Sequence, residues 1–76
     1  MTEADKLFKN LGYKKTKEIY ENFTVIVYKS EDISVEFTSD KEIILTNKSN
    51  NYKNVILNIK ELKAINLKCK ELGWKE

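Results

Sequence analysis

The chain has 76 residues, 41% of them apolar and 34% charged, with a formal net charge of +2, which predicts one small domain over residues 1–76 with little material to enclose a catalytic cleft. The sequence contains no His and no Arg, which excludes histidine-based catalysis, imidazole metal ligands and bidentate guanidinium clamps, and its one Cys excludes an internal disulfide. The acidic N-terminus and the lack of a long apolar run argue against a signal peptide and a membrane span. We therefore expect a cytoplasmic, non-enzymatic protein that uses no cofactor.

The first predicted element is a short amphipathic helix. Its apolar residues recur at the three- and four-residue spacing of one helix face and are Ala4, Leu7, Phe8 and Leu11. Thr2 is suited to cap this helix together with Asp5, and Gly12 stands where a left-handed residue ends a helix.

The period then changes from 3.6 residues to two, which is typical of strands. Residues 33–38 alternate between apolar and polar side chains, and residues 23–28 and 43–46 are rich in β-branched and aromatic side chains. Residues 55–57 form either a short fourth strand or the approach to the next helix. The pattern predicts a three- or four-stranded antiparallel meander sheet.

The last predicted element is a longer helix that starts at the cap Asn58, with Glu61 at the third helical position, and ends at Gly73. Its apolar stripe consists of Ile59, Leu62, Ile65, Cys69 and Leu72. The fold class is therefore α+β, with a short N-terminal helix, a meander sheet and a C-terminal helix packed on that sheet.

The lengths of the hairpin loops decide which side chains face the core. Neither predicted turn contains Gly, and three-residue hairpin loops usually need a left-handed residue, so loops of two or four residues are expected. Tyr28 then lies opposite Ile33, and Phe37 opposite Ile44. The predicted core face consists of Ile26, Tyr28, Ile33, Val35, Phe37 and Ile44.

The same register leaves five apolar side chains on the other face of the sheet, which we interpret as a candidate protein interface. They are Phe23, Val25, Val27, Ile43 and Leu45. An exposed apolar patch of this kind usually has a partner, either another protein or a second copy of the chain. The alternatives are that a helix covers this face, or that the register differs and the patch belongs to the core.

The charges are unevenly distributed along the chain. Residues 1–17 carry five Lys against two acids, residues 18–46 two Lys against seven acids, and residues 47–76 seven Lys against three acids. Lys14, Lys15, Lys17 and Lys75 stand beside aromatic residues, a combination that suits weak binding to a nucleic-acid backbone. The small net charge and the lack of Arg favour an ordinary solvated surface instead.

Other chemistry-bearing residues have simple structural interpretations. Glu31, Asp32, Asp40 and Glu42 fall in predicted turns, where acids are ordinary turn formers, and they lack the spacing of a calcium loop. Cys69 lies on an apolar helix stripe, which favours a buried, inert thiol over a nucleophile. Sequestration of a small ligand in the pocket of a dimer is a further alternative that no residue pattern excludes.

Both ends of the chain carry a family resemblance. Residues 4–15 (ADKLFKNLGYKK), 59–66 (IKELKAIN) and 71–74 (ELGW) resemble small uncharacterised proteins encoded by phages and prophages of AT-rich Gram-positive bacteria. The resemblance thins in the middle of the chain, where Val27 replaces an expected polar residue. It implies a phage context in the cytoplasm of a bacterial host, with no catalytic motif, and action by binding a host protein, including inhibition of a defence protein.

Overall fold

A computed structural model describes residues 2–47 and 56–74 of the chain. In chain order the elements are helix α1 (Glu3–Asn10), strands β1 (Lys14–Ile19), β2 (Thr24–Lys29), β3 (Ile33–Thr38) and β4 (Ile43–Asn47), and helix α2 (Ile59–Glu71). The strands form one antiparallel sheet in the order β1-β2-β3-β4, so each strand pairs with its neighbour in the chain. The predicted α+β class is confirmed, with a meander sheet that follows one helix and precedes the other in the chain.

Both helices begin and end as their sequences predict. Thr2 and Asn58 cap α1 and α2 in reciprocal capping boxes, in which the side-chain oxygen of the cap accepts a main-chain N–H at 3.1 Å and 2.9 Å, respectively. Gly12 and Gly73 follow the helix ends with φ of +92° and +77°, the left-handed conformation that side chains disfavour. Leu11-Gly12-Tyr13 and Leu72-Gly73-Trp74 therefore form the same type of helix end.

Strand β1 was not predicted from the sequence. All six of its residues are exposed, so no apolar alternation marks it, and it is held at the sheet edge by main-chain pairing with β2. The fourth strand proposed over residues 55–57 is not present in the part that the structure describes, since Ile56 and Leu57 are not in a strand, and Val55 lies outside the described residues.

In the hairpin between β2 and β3, the side chains face the predicted sides of the sheet, but the residues that lie opposite one another differ from the prediction. The N–H of Ser30 donates to the carbonyl of Ile33 at 2.8 Å, which closes a two-residue loop. Tyr28 therefore lies opposite Val35 rather than Ile33. The shift is two residues, so the side chains of both strands keep the predicted faces.

The loop between β3 and β4 contradicts the prediction of a two- or four-residue turn. Lys41 adopts φ of +66°, so a lysine takes the left-handed position that glycine usually occupies. The N–H of Thr38 donates to the carbonyl of Glu42 at 2.9 Å, which leaves a three-residue loop between them. Sequence reasoning missed this loop because it required a glycine there.

The extra residue reverses the faces predicted for β4. Phe37 lies opposite Ile43, not Ile44. Ile43 and Leu45 therefore point to the same side of the sheet as Phe37, and Ile44 points to the other side. The predicted position of Ile44 in the core face is wrong.

The hydrophobic core lies between the sheet and the two helices, on the side we call the helix side. Its buried residues are Phe8, Tyr13, Tyr28, Val35, Phe37, Ala64 and Ile65. The Phe8 ring stacks on that of Tyr28 with centroids 3.9 Å apart, which places α1 over β2, and Trp74, just after α2, approaches Phe37 of β3 at 6.1 Å. On the opposite side of the sheet, which we call the open face because neither of the described helices lies over it, the side chains of Val25, Val27, Ser34 and Thr38 are nevertheless buried. No described helix is long and apolar enough to cross a membrane.

Candidate functional site

The structure divides the predicted interface residues between two sides of the sheet. Val25 and Val27 lie on the open face but are only 7% and 0% exposed, whereas Ile43 and Leu45 are on the helix side and partly exposed. Phe23, just before β2, is exposed. The five residues therefore do not form one continuous face, and their role in binding a partner stays a prediction.

Phe23 belongs instead to an exposed aromatic surface at the turn between β1 and β2. The N–H of Tyr20 donates to the carbonyl of Phe23 at 2.8 Å, and the two rings stack with centroids 4.6 Å apart. Tyr20 and Phe23 are 48% and 42% exposed. Ile19 is 75% exposed, but it pairs with Thr24 and points to the helix side. We call Tyr20 and Phe23, with the exposed Glu18 and Glu21, the hairpin surface.

Tyr20 is held in place by a polar contact as well as by stacking. Its hydroxyl donates to the carboxylate of Glu18 at 3.1 Å. This hydrogen bond, the nearby charge of Glu18 and the more distant charge of Glu36 raise the pKa of Tyr20. Two aromatic rings fixed in this way present contact area that needs little further ordering when a partner binds. Sequence reasoning missed the surface because it did not identify β1, although Tyr20 and Phe23 flank a polar pair typical of a turn.

A second feature is a polar cluster around Asp5 between the helices and the sheet. The Asp5 carboxylate accepts from the Tyr28 hydroxyl at 2.5 Å and lies 3.0 Å from the ammonium of Lys15 and 3.7 Å from that of Lys68. Lys68 is only 5% exposed, and its ammonium is 5.8 Å from the centre of the Tyr28 ring. Burial by itself would raise the pKa of Asp5, but the hydrogen bonds and the two lysine charges lower it well below its usual range.

A related contact fixes α2 to the sheet. The Tyr13 hydroxyl, just before β1, donates a hydrogen bond to the carboxylate of Glu61 in the first turn of α2. Burial and the charge of Glu61 raise the pKa of Tyr13. The carboxylates of Asp5 and Glu61 thus each accept a hydrogen bond from a buried tyrosine. Each bond ties a helix to the sheet side of the core, which is typical of a structural contact.

An open cleft of about 390 Å³ borders the Asp5 cluster. Its lining residues are Asp5, Lys9, Tyr13, Lys14, Lys15 and Tyr28. Its volume is within the range of small-molecule sites. The side chains of Lys9 and Lys15 against one carboxylate would suit an anion.

The predicted nucleic-acid residues do not share one side of the sheet. Lys14 points to the open face opposite Lys29, whereas Lys15 and Lys17 point to the helix side, because side chains alternate along β1. Lys75 lies outside the described residues. Their binding to nucleic acid stays a prediction.

The other chemistry-bearing residues form no cluster. In residues 2–47 and 56–74, no group of three or more Cys, Asp or Glu side chains is arranged to hold a metal ion. Cys69 is partly buried beside the core, and this burial raises the pKa of its thiol.

A third surface lies on β4, and we call it the edge surface. Its residues are Ile43, Ile44 and Leu45. These side chains are between 38% and 45% exposed, and none belongs to the core cluster. Exposed apolar groups concentrated at one edge are typical of an interaction surface.

Comparison with known proteins supplies no family for this chain. No family model matches it, and neither a curated protein nor a solved structure matches it. The resemblance of the chain ends to phage proteins therefore stays a prediction, and the basis for a function is the geometry of these surfaces.

Proposed function

We propose that this chain is a non-enzymatic, phage-type accessory protein that acts in the cytoplasm of its bacterial host by binding another protein. The observation that carries the proposal is the hairpin surface, in which the exposed rings of Tyr20 and Phe23 stack on each other. Tyrosine is enriched among the few residues that supply most of the binding energy in protein interfaces.

The charges around the hairpin surface indicate the chemistry of its partner. Glu18 and Glu21 border the aromatic pair, and Glu36 lies on the same open face close enough to affect Tyr20. A complementary site would have an apolar pocket for the rings and basic groups at its rim. Inhibition of a host or defence protein is the form of action that the phage resemblance favours, because a small domain can block a larger protein by occupying such a site.

A matched pair of variants tests the proposal. Immobilised protein is used to capture partners from a lysate of an AT-rich Gram-positive bacterium, and any captured protein is purified and titrated by calorimetry. The double variant Tyr20→Ser with Phe23→Ser should weaken binding by about 30-fold or more, because truncating an interface hot spot costs about 2 kcal/mol or more. Ile56→Ser, at an 81% exposed position away from the hairpin, should leave binding unchanged.

The opposite pattern would contradict the proposal. If the double variant folds, as shown by its circular dichroism, and still binds every captured protein with unchanged affinity, the hairpin surface is not the contact site. If a captured protein is an enzyme, its activity should fall as the chain is added up to equimolar amounts.

The first alternative function is a nucleic-acid-binding module that uses Lys14, Lys15, Lys17 and Lys75. It predicts that labelled DNA or RNA binds at low salt, that binding falls steeply as salt rises, and that replacing these lysines with Gln abolishes it. Protein binding through the hairpin surface should depend much less on salt.

The second alternative is sequestration of a small ligand. The observation that favours it is the lysine-bordered cleft near Asp5, and its natural ligand class is a small anion. It predicts that phosphate or a dicarboxylate raises the thermal unfolding midpoint, and that Lys9→Gln with Lys15→Gln removes the effect.

A further inference from the structure

Two lysines face each other across the first pair of residues that joins β1 to β2. Lys14 lies directly opposite Lys29, so both side chains point to the open face of the sheet. The Cβ atoms of residues opposed in this way are about 4.5–5.5 Å apart, and like charges at such positions repel each other. The strand pairing therefore holds two positive charges close together at a cost to the fold.

Neither lysine has a counter-ion in the part of the chain that the structure describes. No ion pair within residues 2–47 and 56–74 involves Lys14 or Lys29. Glu31, in the turn between β2 and β3, borders the same cleft as the two lysines, but its carboxylate forms no ion pair with either of them. The described residues therefore leave the repulsion between the two ammonium groups uncompensated.

The two lysines border an open cleft that a small ligand can enter. Its volume is about 320 Å³, and its lining residues are Gly12, Lys14, Thr16, Lys29, Ser30 and Glu31. Thr16 follows Lys14 by two residues on β1, so its side chain is on the same side of the sheet as the two lysines. The cleft thus offers a ligand two cations and a hydroxyl donor, against one carboxylate.

We propose that this cleft binds a doubly charged phosphate, either inorganic phosphate or a phosphomonoester, between the ammonium groups of Lys14 and Lys29. A dianion at this position replaces one repulsive pair with two charge-assisted hydrogen bonds, and its other oxygens can accept from the Thr16 hydroxyl. A phosphate carries close to two negative charges at neutral pH, which matches the charge of the two lysines. Chloride or a single carboxylate balances only one of them.

This site differs from the Asp5 cleft, which lies between α1 and the sheet. In the Asp5 cleft the ammonium of Lys15 is already paired with Asp5 at 3.0 Å, so an anion there competes with a carboxylate of the protein itself. Lys14 and Lys29 have no such competitor among the described residues. A dianion should therefore bind on the open face in preference to the Asp5 cleft.

This inference goes beyond the proposed function and does not depend on it. The Lys14–Lys29 pair stands at one end of the β1–β2 hairpin, and the hairpin surface begins at the other end. The length of β1 between these two ends is about 17 Å. A phosphate bound by the two lysines leaves the hairpin surface free for a partner.

Titration with sodium phosphate at about pH 7.5 and constant ionic strength tests the site, with the main-chain amide signals of isotope-labelled protein as the readout. The signals of residues 12–16 and 29–31 should shift and reach saturation, and sodium chloride should not reproduce the shifts. Lys14→Gln and Lys29→Gln should each weaken phosphate binding about tenfold or more, because each leaves one cation to face the dianion.

A substitution of the opposite sign makes the test specific to this cleft. Glu31→Gln should tighten phosphate binding about two- to threefold, because it removes the negative charge that borders the cleft. The matched control is Lys9→Gln with Lys15→Gln, which removes the same charge from the Asp5 cleft as Lys14→Gln with Lys29→Gln removes here. The control should change phosphate binding by less than about twofold. Circular dichroism establishes that each variant is folded.

Two results would overturn the proposal. One is the absence of saturable shifts in the unaltered protein at up to about 50 mM phosphate. The other is a loss of binding in Lys9→Gln with Lys15→Gln as large as in Lys14→Gln with Lys29→Gln, which would assign the phosphate to the Asp5 cleft or to general attraction. A parallel titration with O-phosphoserine identifies the source of the phosphate. Binding at least as tight as that of inorganic phosphate indicates a phosphomonoester, and binding of inorganic phosphate alone indicates the free ion.

Discussion

At the scale of single residues, Asp5 takes part in several structural contacts at once. It belongs to the capping box of α1 and also accepts the Tyr28 hydroxyl and faces Lys15 and Lys68. The buried Lys68 would lose its ionic partner if Asp5 were neutral. An uncompensated buried charge is among the most costly defects in a protein.

Replacing Asp5 with Asn should lower the free energy of unfolding by about 3 kcal/mol at pH 7, because it breaks a buried ion pair from one side. Since the pKa of Asp5 is lower in the folded protein, its contribution is complete above about pH 4, near the value of an unfolded aspartate, and is lost as pH falls further. The destabilisation caused by Asp5→Asn should therefore shrink as pH falls below about 4. Urea unfolding at pH 7, 4 and 2.5 measures both effects.

Lys15→Ala is the control for this measurement, because Lys15 is more exposed than Lys68 and an exposed ion pair contributes at most about 1 kcal/mol. If Asp5→Asn lowers the free energy of unfolding by no more than Lys15→Ala does, the buried Lys68 does not need Asp5 as its ionic partner. If Asp5→Asn lowers it by the same amount at every pH, the charge of the carboxylate is not responsible.

At the scale of secondary-structure elements, the β3–β4 loop decides the faces of the last strand. Lys41 occupies a left-handed conformation without the freedom of glycine. That conformation costs a side-chain-bearing residue about 1 kcal/mol or more. The strand pairing of β4 must therefore outweigh this cost to hold the register.

Lys41→Gly should raise the free energy of unfolding by about 0.5–1 kcal/mol, because it relieves the left-handed strain at a smaller cost in unfolded-chain entropy. Asp40→Gly is the matched control, since its φ is not positive and glycine there brings the entropy cost without the relief. Paired urea titrations give both values. Equal effects of the two substitutions would mean that Lys41 is not strained.

The same elements show how far the sequence predicts the fold. The helices were predictable because caps, apolar spacing and terminal glycines agree at Thr2, Gly12, Asn58 and Gly73. Strand β1 was not predictable, because a fully exposed edge strand has no burial pattern and is held by main-chain hydrogen bonds, which depend little on side-chain identity. The register of β4 was not predictable, because the left-handed Lys41 closes a three-residue loop and so reverses the side of the sheet that each β4 side chain faces.

At the scale of the whole molecule, the sequence located apolar residues that matter but not their arrangement into surfaces. Of the predicted interface residues, Phe23 is in the hairpin surface, and Ile43 and Leu45 are in the edge surface. Tyr20 was not predicted, because its exposure depends on β1. The apolar stripe predicted for α2 placed Ile59 and Leu62 towards the core, but they are 77% and 45% exposed. The separation of these surfaces is a property of the tertiary structure alone.

The two helices are joined to the sheet by the same chemical device, a buried tyrosine that donates to a carboxylate. Tyr28 donates to Asp5 of α1, and Tyr13 donates to Glu61 of α2. Burial, together with the neighbouring carboxylate, raises the pKa of each tyrosine. Because folding raises the pKa of these tyrosines, their contribution to stability is complete only below the pKa of an unfolded tyrosine. Above that pH the unfolded chain loses its tyrosine protons first, and the contribution falls.

Stability should therefore fall as pH rises through about 10, where unfolded tyrosines ionise while Tyr13 and Tyr28 still hold their protons. The raised pKa of Cys69 adds a loss that begins nearer pH 9 and is also present in the variant that follows. Urea midpoints measured from pH 8 to pH 11 follow this loss. The variant Tyr13→Phe with Tyr28→Phe should be less stable at pH 8 but should lose less on going to pH 11, because it lacks both titrating hydroxyls. If the unaltered protein and the double variant lost stability in parallel, the alkaline transition would belong to other groups, and the tyrosine–carboxylate contacts would not be what couples the helices to the sheet as pH rises.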